Sequence, residues 1–265
     1  MPELPKEIDT SRPHPARTYD YFLGGKNNFA ADREVADKVL AGWPAIRVGV
    51  RENRKFLARV VRYLAGEAGV RQFLDIGTGL PTADNTHDVA QRAAPESRIV
   101  YVDHDPLVIS HARALLTSSA EGKTDYIQAD LRDWATISAG AQRTLDFSRP
   151  VAVILIAVLH FILDAEDPHE VISRMMADLA PGSYLVIAHA ASDIEAEKAA
   201  AMARSYNASS SLTITPRDHA TVSRFFDGLE LTGPGLLPLA QWRGSSAAAA
   251  SGSSLSCYCA IARKP

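Results

Sequence analysis

Short apolar runs and segments with helical periodicity alternate along the chain from residue 72 onward. Strict strand–helix alternation is typical of a parallel sheet that carries helices on both faces. The apolar runs predict strands at Gln72–Ile76, Arg98–Asp103, Thr124–Gln128, Val151–Ala157 and Tyr184–His189. The segments between them predict helices at Ala83–Ala94, Pro106–Leu116, Leu131–Ile137 and His169–Leu179.

The run Val151–Ala157 contains no polar residue, which is typical of a central strand buried on both faces. Two helix starts are predicted from a capping residue followed by proline. These are Asp105 before Pro106 and Thr215 before Pro216.

The last third of the chain predicts two further helices, Asp193–Tyr206 and Pro216–Phe226, and two more strands, Leu229–Leu231 and Leu255–Ala262. The tract from Gly244 to Ser254 is almost entirely Gly, Ser and Ala and predicts a surface loop. The fold prediction is therefore a doubly wound, mostly parallel, seven-stranded α/β sheet of Rossmann-like type.

The chain before the first strand has a different character. Residues 1–16 are rich in proline and predict an extended or partly disordered arm, whereas Ala30–Leu40 and Arg51–Ala65 predict helices. We expect a single domain over residues 17–265, with a helical lid at 17–70 and the Rossmann-like core at 71–265.

Composition narrows the functional classes. The 265 residues are 46% hydrophobic and 22% charged, with a net charge of -3, which is ordinary for a globular protein. Such a balance does not favour nucleic acid or an anionic membrane as a partner. No apolar segment resembles a signal peptide or reaches the roughly 20 residues of a membrane span, so a cytoplasmic protein is expected. Cys257 and Cys259 predict free core thiols, and a CxC metal site lacks partners nearby.

A glycine turn follows the first predicted strand in the sequence Asp75-Ile-Gly77-Thr78-Gly79. Turns of this kind lie at the carboxyl end of the sheet, where doubly wound folds bind ligands. A dinucleotide site would carry a third glycine at position 82, which is threonine here. The carboxylate of Asp75 would repel a pyrophosphate and attract a cation, which favours S-adenosylmethionine over NAD. A structural tight turn is the alternative.

Two more strands are predicted to end in an acid. Asp103 can accept hydrogen bonds from both ribose hydroxyls, or it can cap the helix that follows, although Asp105 suits that role better. Asp130 can accept from the adenine amino group with Leu131 packed on the ring, or it can cap a helix. Two further residues complete the predicted cofactor site: Thr78 in the glycine turn, and Ala157 at the end of the fourth strand.

Two histidines follow the fourth and fifth strands, His160 and His189, and either can be structural. Methyl transfer requires mainly positioning, with a general base only when the nucleophile is protonated. His160 is the predicted catalytic base, with Tyr21 as a second catalytic candidate.

Several blocks of the chain resemble an actinobacterial family of S-adenosyl methyltransferases, formerly a domain of unknown function, within the class I methyltransferase superfamily. The resemblance is carried by ARTYDYFLGGKNNFAADR at 16–33, FLDIGTGLPT at 73–82, NTHDVAQ at 85–91, YVDHDP at 101–106, AVLHF at 157–161, LAPGSY at 179–184 and ARKP at 262–265. Position 104 is His where the family pattern leads us to expect Asn, which would place an imidazole beside the ribose acid and against adenine.

The resemblance implies the class I fold, S-adenosylmethionine as cofactor and S-adenosylhomocysteine as product, and it leaves the methyl acceptor undefined. We expect a small-molecule acceptor. A non-catalytic S-adenosylmethionine-binding regulator is the alternative function. Tyr19, Tyr21 and the Gly24-Gly25 turn are expected to close over the cofactor. A homodimer contact or simple packing is the other interpretation of this segment.

Overall fold

The computed structural model of the protein describes residues 9–210, 212–242 and 256–265. Its sheet has seven strands in the order β3-β2-β1-β4-β5-β7-β6. The first five strands are parallel, and β7 runs antiparallel to both β5 and β6. The strands are β1 (Gln72–Ile76), β2 (Arg98–Asp103), β3 (Lys123–Gln128), β4 (Ala152–Ile156), β5 (Tyr184–Ala190), β6 (Glu230–Pro238) and β7 (Cys257–Arg263).

Helices precede and connect the strands. In chain order they are α1 (Pro15–Leu23), α2 (Ala30–Gly42), α3 (Ile46–Gly66), α4 (Thr86–Ala93), α5 (Pro106–Leu115), α6 (Trp134–Ala141), α7 (Pro168–Ala177), α8 (Ala196–Ser209) and α9 (His219–Arg224). Short 3-10 turns lie at Leu159–Phe161, Asp164–Glu166 and Leu239–Gln241. The prediction of a doubly wound, mostly parallel, seven-stranded sheet is confirmed.

Alternate side chains of the strands build a separate hydrophobic core on each face of the sheet, because successive residues of a strand point to opposite faces. On one face Leu74 and Leu155 pack with α6 and α7 residues such as Ile137. On the other face Phe73 and Ile154 pack with α3 and α4.

A third, smaller core joins α1, α2 and α8 above the carboxyl edge of the sheet. Its members include Phe22, Val39 and Tyr206. We refer to these three helices as the roof. Most of the buried residues of α3 pack against the sheet, and α8, from the distant part of the chain, completes the roof.

Most element boundaries agree with the sequence prediction within a few residues, but the predicted cap at Thr215 is wrong. Helix α9 begins three residues later, where the side chain of Asp218 accepts from the Thr221 backbone amide at 2.8 Å. The backbone of Arg217 instead bridges to Ala191 beside β5, which keeps Pro216 outside the helix. The predicted loop from Gly244 to Ser254 lies outside the described residues. Among the helices that the structure describes, none combines the length and apolar character needed to cross a membrane.

Candidate functional site

A cavity of about 400 Å³ lies at the carboxyl edge of the sheet, between the strand ends and the roof. Its floor is formed by the ends of the neighbouring strands β1 and β4. From β1 the chain order runs toward β3 at one edge of the sheet, and from β4 it runs toward the opposite edge. Open α/β sheets bind ligands at such a switch point. Most of the predicted site residues line this one cavity: Asp75, Gly77, Thr78, Gly79, Asp103, His104, Asp130, Leu131, Ala157 and His160.

The glycine turn after β1 requires glycine for two different reasons. Gly77 and Gly79 have φ values of 73° and 67°, in the region that favours glycine. A Cβ atom on Gly77 would lie 2.4 Å from Cγ2 of Val158, so the backbone passes close to the end of β4. A Cβ atom on Gly79 would meet nothing within 4 Å. Gly79 therefore faces open space in the cavity, where a ligand can approach its backbone.

Asp103 is tied to the glycine turn. Its carboxylate accepts from the backbone amides of Gly79 and Asp105, each at 3.0 Å, and it is only 6% exposed. The cap of α5 is Asp105, which accepts from the Leu107 amide at 2.8 Å. Burial raises the pKa of Asp103. The alternative that Asp103 caps α5 is thus wrong, and its remaining acceptor positions are available to a ligand.

Asp75 is buried beneath the turn and accepts from the Thr86 hydroxyl at 2.6 Å. Burial raises the pKa of Asp75 to about 6, while the Thr86 hydrogen bond and the nearby guanidinium of Arg54 oppose that rise. A cation placed beside this carboxylate would favour its ionised form.

Arg54 of α3 also lines the cavity, and the sequence analysis did not identify it. Its Nη2 donates to the Asp84 carbonyl at 3.4 Å, but its Nε is buried and has no hydrogen-bond partner. An anionic ligand group in the cavity would be attracted to this guanidinium. No local pattern marks Arg54, because it lies in an ordinary amphipathic helix.

Asp130 is engaged by a neighbour. Nε of Arg132 donates to Asp130 Oδ1 at 2.7 Å, and Arg132 also pairs with Glu166. The cap of α6 is Asp133, whose side chain accepts from the Thr136 amide at 3.1 Å, so the alternative that Asp130 caps this helix is wrong. Leu131 is buried and lines the cavity beside Asp130.

A pair of histidines joins the start of α1 to the loop after β2. Nε2 of His14 lies 3.2 Å from Nε2 of His104, and Nδ1 of His14 lies 3.0 Å from Asp105. Burial lowers the pKa of His14. This contact holds the N-terminal segment over the cavity beside Asp103, and the sequence analysis did not anticipate it.

The chain turns sharply after β4 and carries His160 to the cavity. Ala157 has a φ of 57°, a strained value for a residue with a Cβ atom, and such strain is concentrated at functional sites. The Nδ1 of His160 is buried and has no hydrogen-bond partner. Burial and the nearby Arg217 lower the pKa of His160 to about 4, so the imidazole is neutral at neutral pH.

Arg217 fixes the loop that carries His160. It is 4% exposed and donates to the carbonyls of Leu159 at 3.2 Å and Ile162 at 2.6 Å, on either side of His160. It also donates to Nε2 of His189 at 2.9 Å. Because Nε2 of His189 accepts this bond and its Nδ1 lies 2.8 Å from the Ala190 carbonyl, His189 has a structural role in this network.

The prediction that Tyr21 covers the cofactor is wrong for this residue. Its hydroxyl donates to Asp37 at 3.0 Å, and it does not line the cavity. The helical period turns Tyr19 and Phe22 toward the cavity and Tyr21 away from it. The Gly24-Gly25 turn ends α1 and likewise does not line the cavity.

The half of the cavity away from the strand ends is apolar. We call it the acceptor chamber and define it by side chains from the roof and from the segments after β4 and α8. They are Tyr19, Phe22, Phe161, Met202, Tyr206 and Ile214. Over the ranges 9–210, 212–242 and 256–265, no group of three or more His, Cys, Asp or Glu side chains could hold a metal ion.

Comparison with known proteins agrees with this geometry. The model of a family described as S-adenosyl methyltransferase matches residues 1–265. A crystal structure of a DUF574 family protein from Streptomyces avermitilis has a TM-score of 0.93 and 44% identity, and the match covers 97% of this chain and 100% of that one. A candidate methyltransferase from Thermobifida fusca has a TM-score of 0.89 and 38% identity, with 100% and 99% coverage.

More distant structures share the fold. The N-methyltransferase NodS from Bradyrhizobium japonicum, crystallised with S-adenosylhomocysteine, has a TM-score of 0.51 at 18% identity, and the match covers 94% of this chain and 99% of that one. A search of curated proteins gives no match. The family match over the whole chain and the two close structures lead to one conclusion: the chain belongs to the S-adenosyl methyltransferase family and is a methyltransferase that uses S-adenosylmethionine.

Proposed function

We propose that the cavity binds S-adenosylmethionine along the strand ends and transfers its methyl group to a small molecule held in the acceptor chamber. The observation that carries this proposal is the carboxylate of Asp103, which is buried at the cavity and held in place by two backbone amides. A carboxylate so fixed can accept from both hydroxyls of a ribose.

The adenosine part of the cofactor is assigned to the ends of β2 and β3. His104 and Leu131 flank the space beside Asp103, and both can pack against a purine ring. Asp130 keeps acceptor capacity for the adenine amino group, because a carboxylate has about four acceptor positions and Arg132 uses only some of them.

The methionine part is assigned to the glycine turn and α3. Gly77, Thr78 and Gly79 leave room for close approach, and Asp75 supplies a negative charge for the ammonium group. Arg54, whose Nε has no partner, would bind the carboxylate of the same amino acid. The two ends of a zwitterion would thus meet opposite charges on the protein.

A small acceptor is favoured by enclosure. The roof helices and the segments after β4 and α8 surround the acceptor chamber, and a cavity of about 400 Å³ holds a small molecule rather than a polymer. Bound S-adenosylmethionine supplies an electrophilic methyl group. His160, neutral and located at the end of β4 near Ala157, is assigned to orient the acceptor and receive its proton as the new bond forms.

Calorimetric titration with S-adenosylhomocysteine tests the cofactor assignment. Asp103→Asn keeps the size of the side chain but removes the charge, and two lost charge-assisted hydrogen bonds should weaken binding roughly 100-fold or more. Asp227→Asn, at an exposed position outside the cavity, is the matched control and should bind as the wild type does. Equal affinities for the two variants would refute the ribose assignment.

A further inference from the structure

We propose that the acceptor is an uncharged aromatic compound with a hydroxyl group, a phenol, whose hydroxyl donates a hydrogen bond to His160. This inference rests on the proposed function, because it assigns the strand ends and Arg54 to the cofactor. It goes further by naming the chemical class that the acceptor chamber fits.

The walls of the acceptor chamber argue for an aromatic body. Tyr19, Phe161 and Tyr206 present rings, and Phe22, Met202 and Ile214 add apolar surface. The hydroxyl of Tyr19 already donates to the Val50 carbonyl at 3.1 Å. A flat apolar ligand would gain ring contacts here without leaving the Tyr19 hydroxyl unsatisfied.

Charge argues for a neutral acceptor. Among the described residues, the charged side chains that line the cavity are Arg54, Asp75, Asp103, Asp130 and Arg132. None of these five residues belongs to the acceptor chamber, because four of them lie at the strand ends and Arg54 lies on α3. A protonated amine would enter the chamber without a carboxylate partner and would also face the sulfonium charge of the cofactor. A carboxylate acceptor would find Arg54 occupied by the cofactor and Arg132 already paired with Asp130 and Glu166. Burying an unpaired charge in either case is costly.

The polar side chain at the end of β4 argues for a hydroxyl. His160 lines the cavity, and burial together with Arg217 lowers its pKa to about 4. The ring is therefore neutral, and a neutral imidazole has one nitrogen that accepts a hydrogen bond. Arg217 holds its position through the carbonyls of Leu159 and Ile162. A phenol offers one donor for this acceptor and an aromatic body for the walls.

Binding of matched naphthalene derivatives to the protein saturated with S-adenosylhomocysteine tests the proposal by calorimetry. The compounds are 2-naphthol, 2-naphthoate, 2-naphthylmethylammonium and unsubstituted naphthalene, the last measured by displacement. We expect 2-naphthol to bind most tightly. His160→Leu should weaken 2-naphthol about fivefold to tenfold, the effect of one hydrogen bond, and should change naphthalene binding less than twofold.

A charge introduced into the chamber gives a second, independent readout. Met202 lines the cavity on α8, whereas its neighbour Ala201 is exposed. Met202→Glu should weaken 2-naphthol and strengthen 2-naphthylmethylammonium about tenfold, and the control Ala201→Glu should change neither. This comparison reports on the chamber even if the His160 variant is unstable.

The outcomes separate this inference from the function on which it rests. Tight binding of S-adenosylhomocysteine combined with a preference for the carboxylate or the ammonium compound would overturn the phenol assignment alone. Equal binding of 2-naphthol and naphthalene would also overturn it. Failure of the wild-type protein to bind S-adenosylhomocysteine would overturn the proposed function and this inference with it.

Discussion

Replacing Arg54 by methionine tests how the protein holds the amino-acid end of its cofactor. Arg54→Met keeps an unbranched apolar stem but removes the guanidinium of a residue that lines the cavity. A charge-assisted hydrogen bond to a carboxylate contributes about 1.5–3 kcal/mol. The loss corresponds to a weakening of S-adenosylhomocysteine binding of about 10-fold to 100-fold.

A ligand without the amino acid separates this contact from a general disturbance of the site. 5′-Methylthioadenosine retains adenine and ribose but has neither carboxylate nor ammonium group, so Arg54→Met should leave its affinity unchanged. Calorimetry with both ligands and both proteins gives a thermodynamic cycle. The coupling free energy from this cycle measures the contact between Arg54 and the amino-acid part of the ligand. Arg51→Met, at an exposed position one turn earlier on α3, is the matched control.

Two results would refute the reasoning. An unchanged affinity of Arg54→Met for S-adenosylhomocysteine would show that the carboxylate is held elsewhere. An equal loss for both ligands would show that Arg54 maintains the shape of the site, through its contact with the Asp84 carbonyl, rather than binding the cofactor.

Three further predictions concern other parts of the site. Burial raises the pKa of Asp75 to about 6, so protonation below that pH removes the charge that attracts the ammonium group. Cofactor affinity measured by calorimetry should therefore fall as the pH is lowered. Asp75→Asn should make the affinity less dependent on pH. Arg217→Lys should loosen the His160 loop, weakening 2-naphthol about threefold to tenfold while S-adenosylhomocysteine binding stays constant; a parallel loss of both would contradict a positioning role. Tyr21→Phe should leave cofactor affinity unchanged, and a weaker affinity would return Tyr21 to the site.

That the strand-end residues meet at one cavity could be predicted from the sequence, because this depends on local patterns. Asp75, the glycine turn and Asp103 each follow an apolar strand, and parallel strands bring their carboxyl ends to one edge. Strands that follow one another in the chain also lie side by side in this part of the sheet. The meeting of these side chains can therefore be predicted without knowledge of distant contacts. The same local logic located Asp105 as the cap of α5.

Predictions failed where a local signal competed with a contact elsewhere in the chain. Thr215-Pro216 has the pattern of a helix start, but the backbone of Arg217 bridges to Ala191 and the helix begins after Asp218. Tyr21 stands in an aromatic cluster, yet the direction of α1 turns it toward Asp37. Neither the bridge nor the direction is encoded within the segment itself.

The sequence by itself determined the sheet, the turn and the acids at the strand ends, since strand period and parallel connection act over a few dozen residues. Only the tertiary structure decided the roof, the His14–His104 contact and the position of Arg54. Those features join α1, α2 and α3 to segments far along the chain. The face of each of these helices that packs inward depends on the simultaneous burial of apolar surfaces from several segments. No single segment specifies that packing.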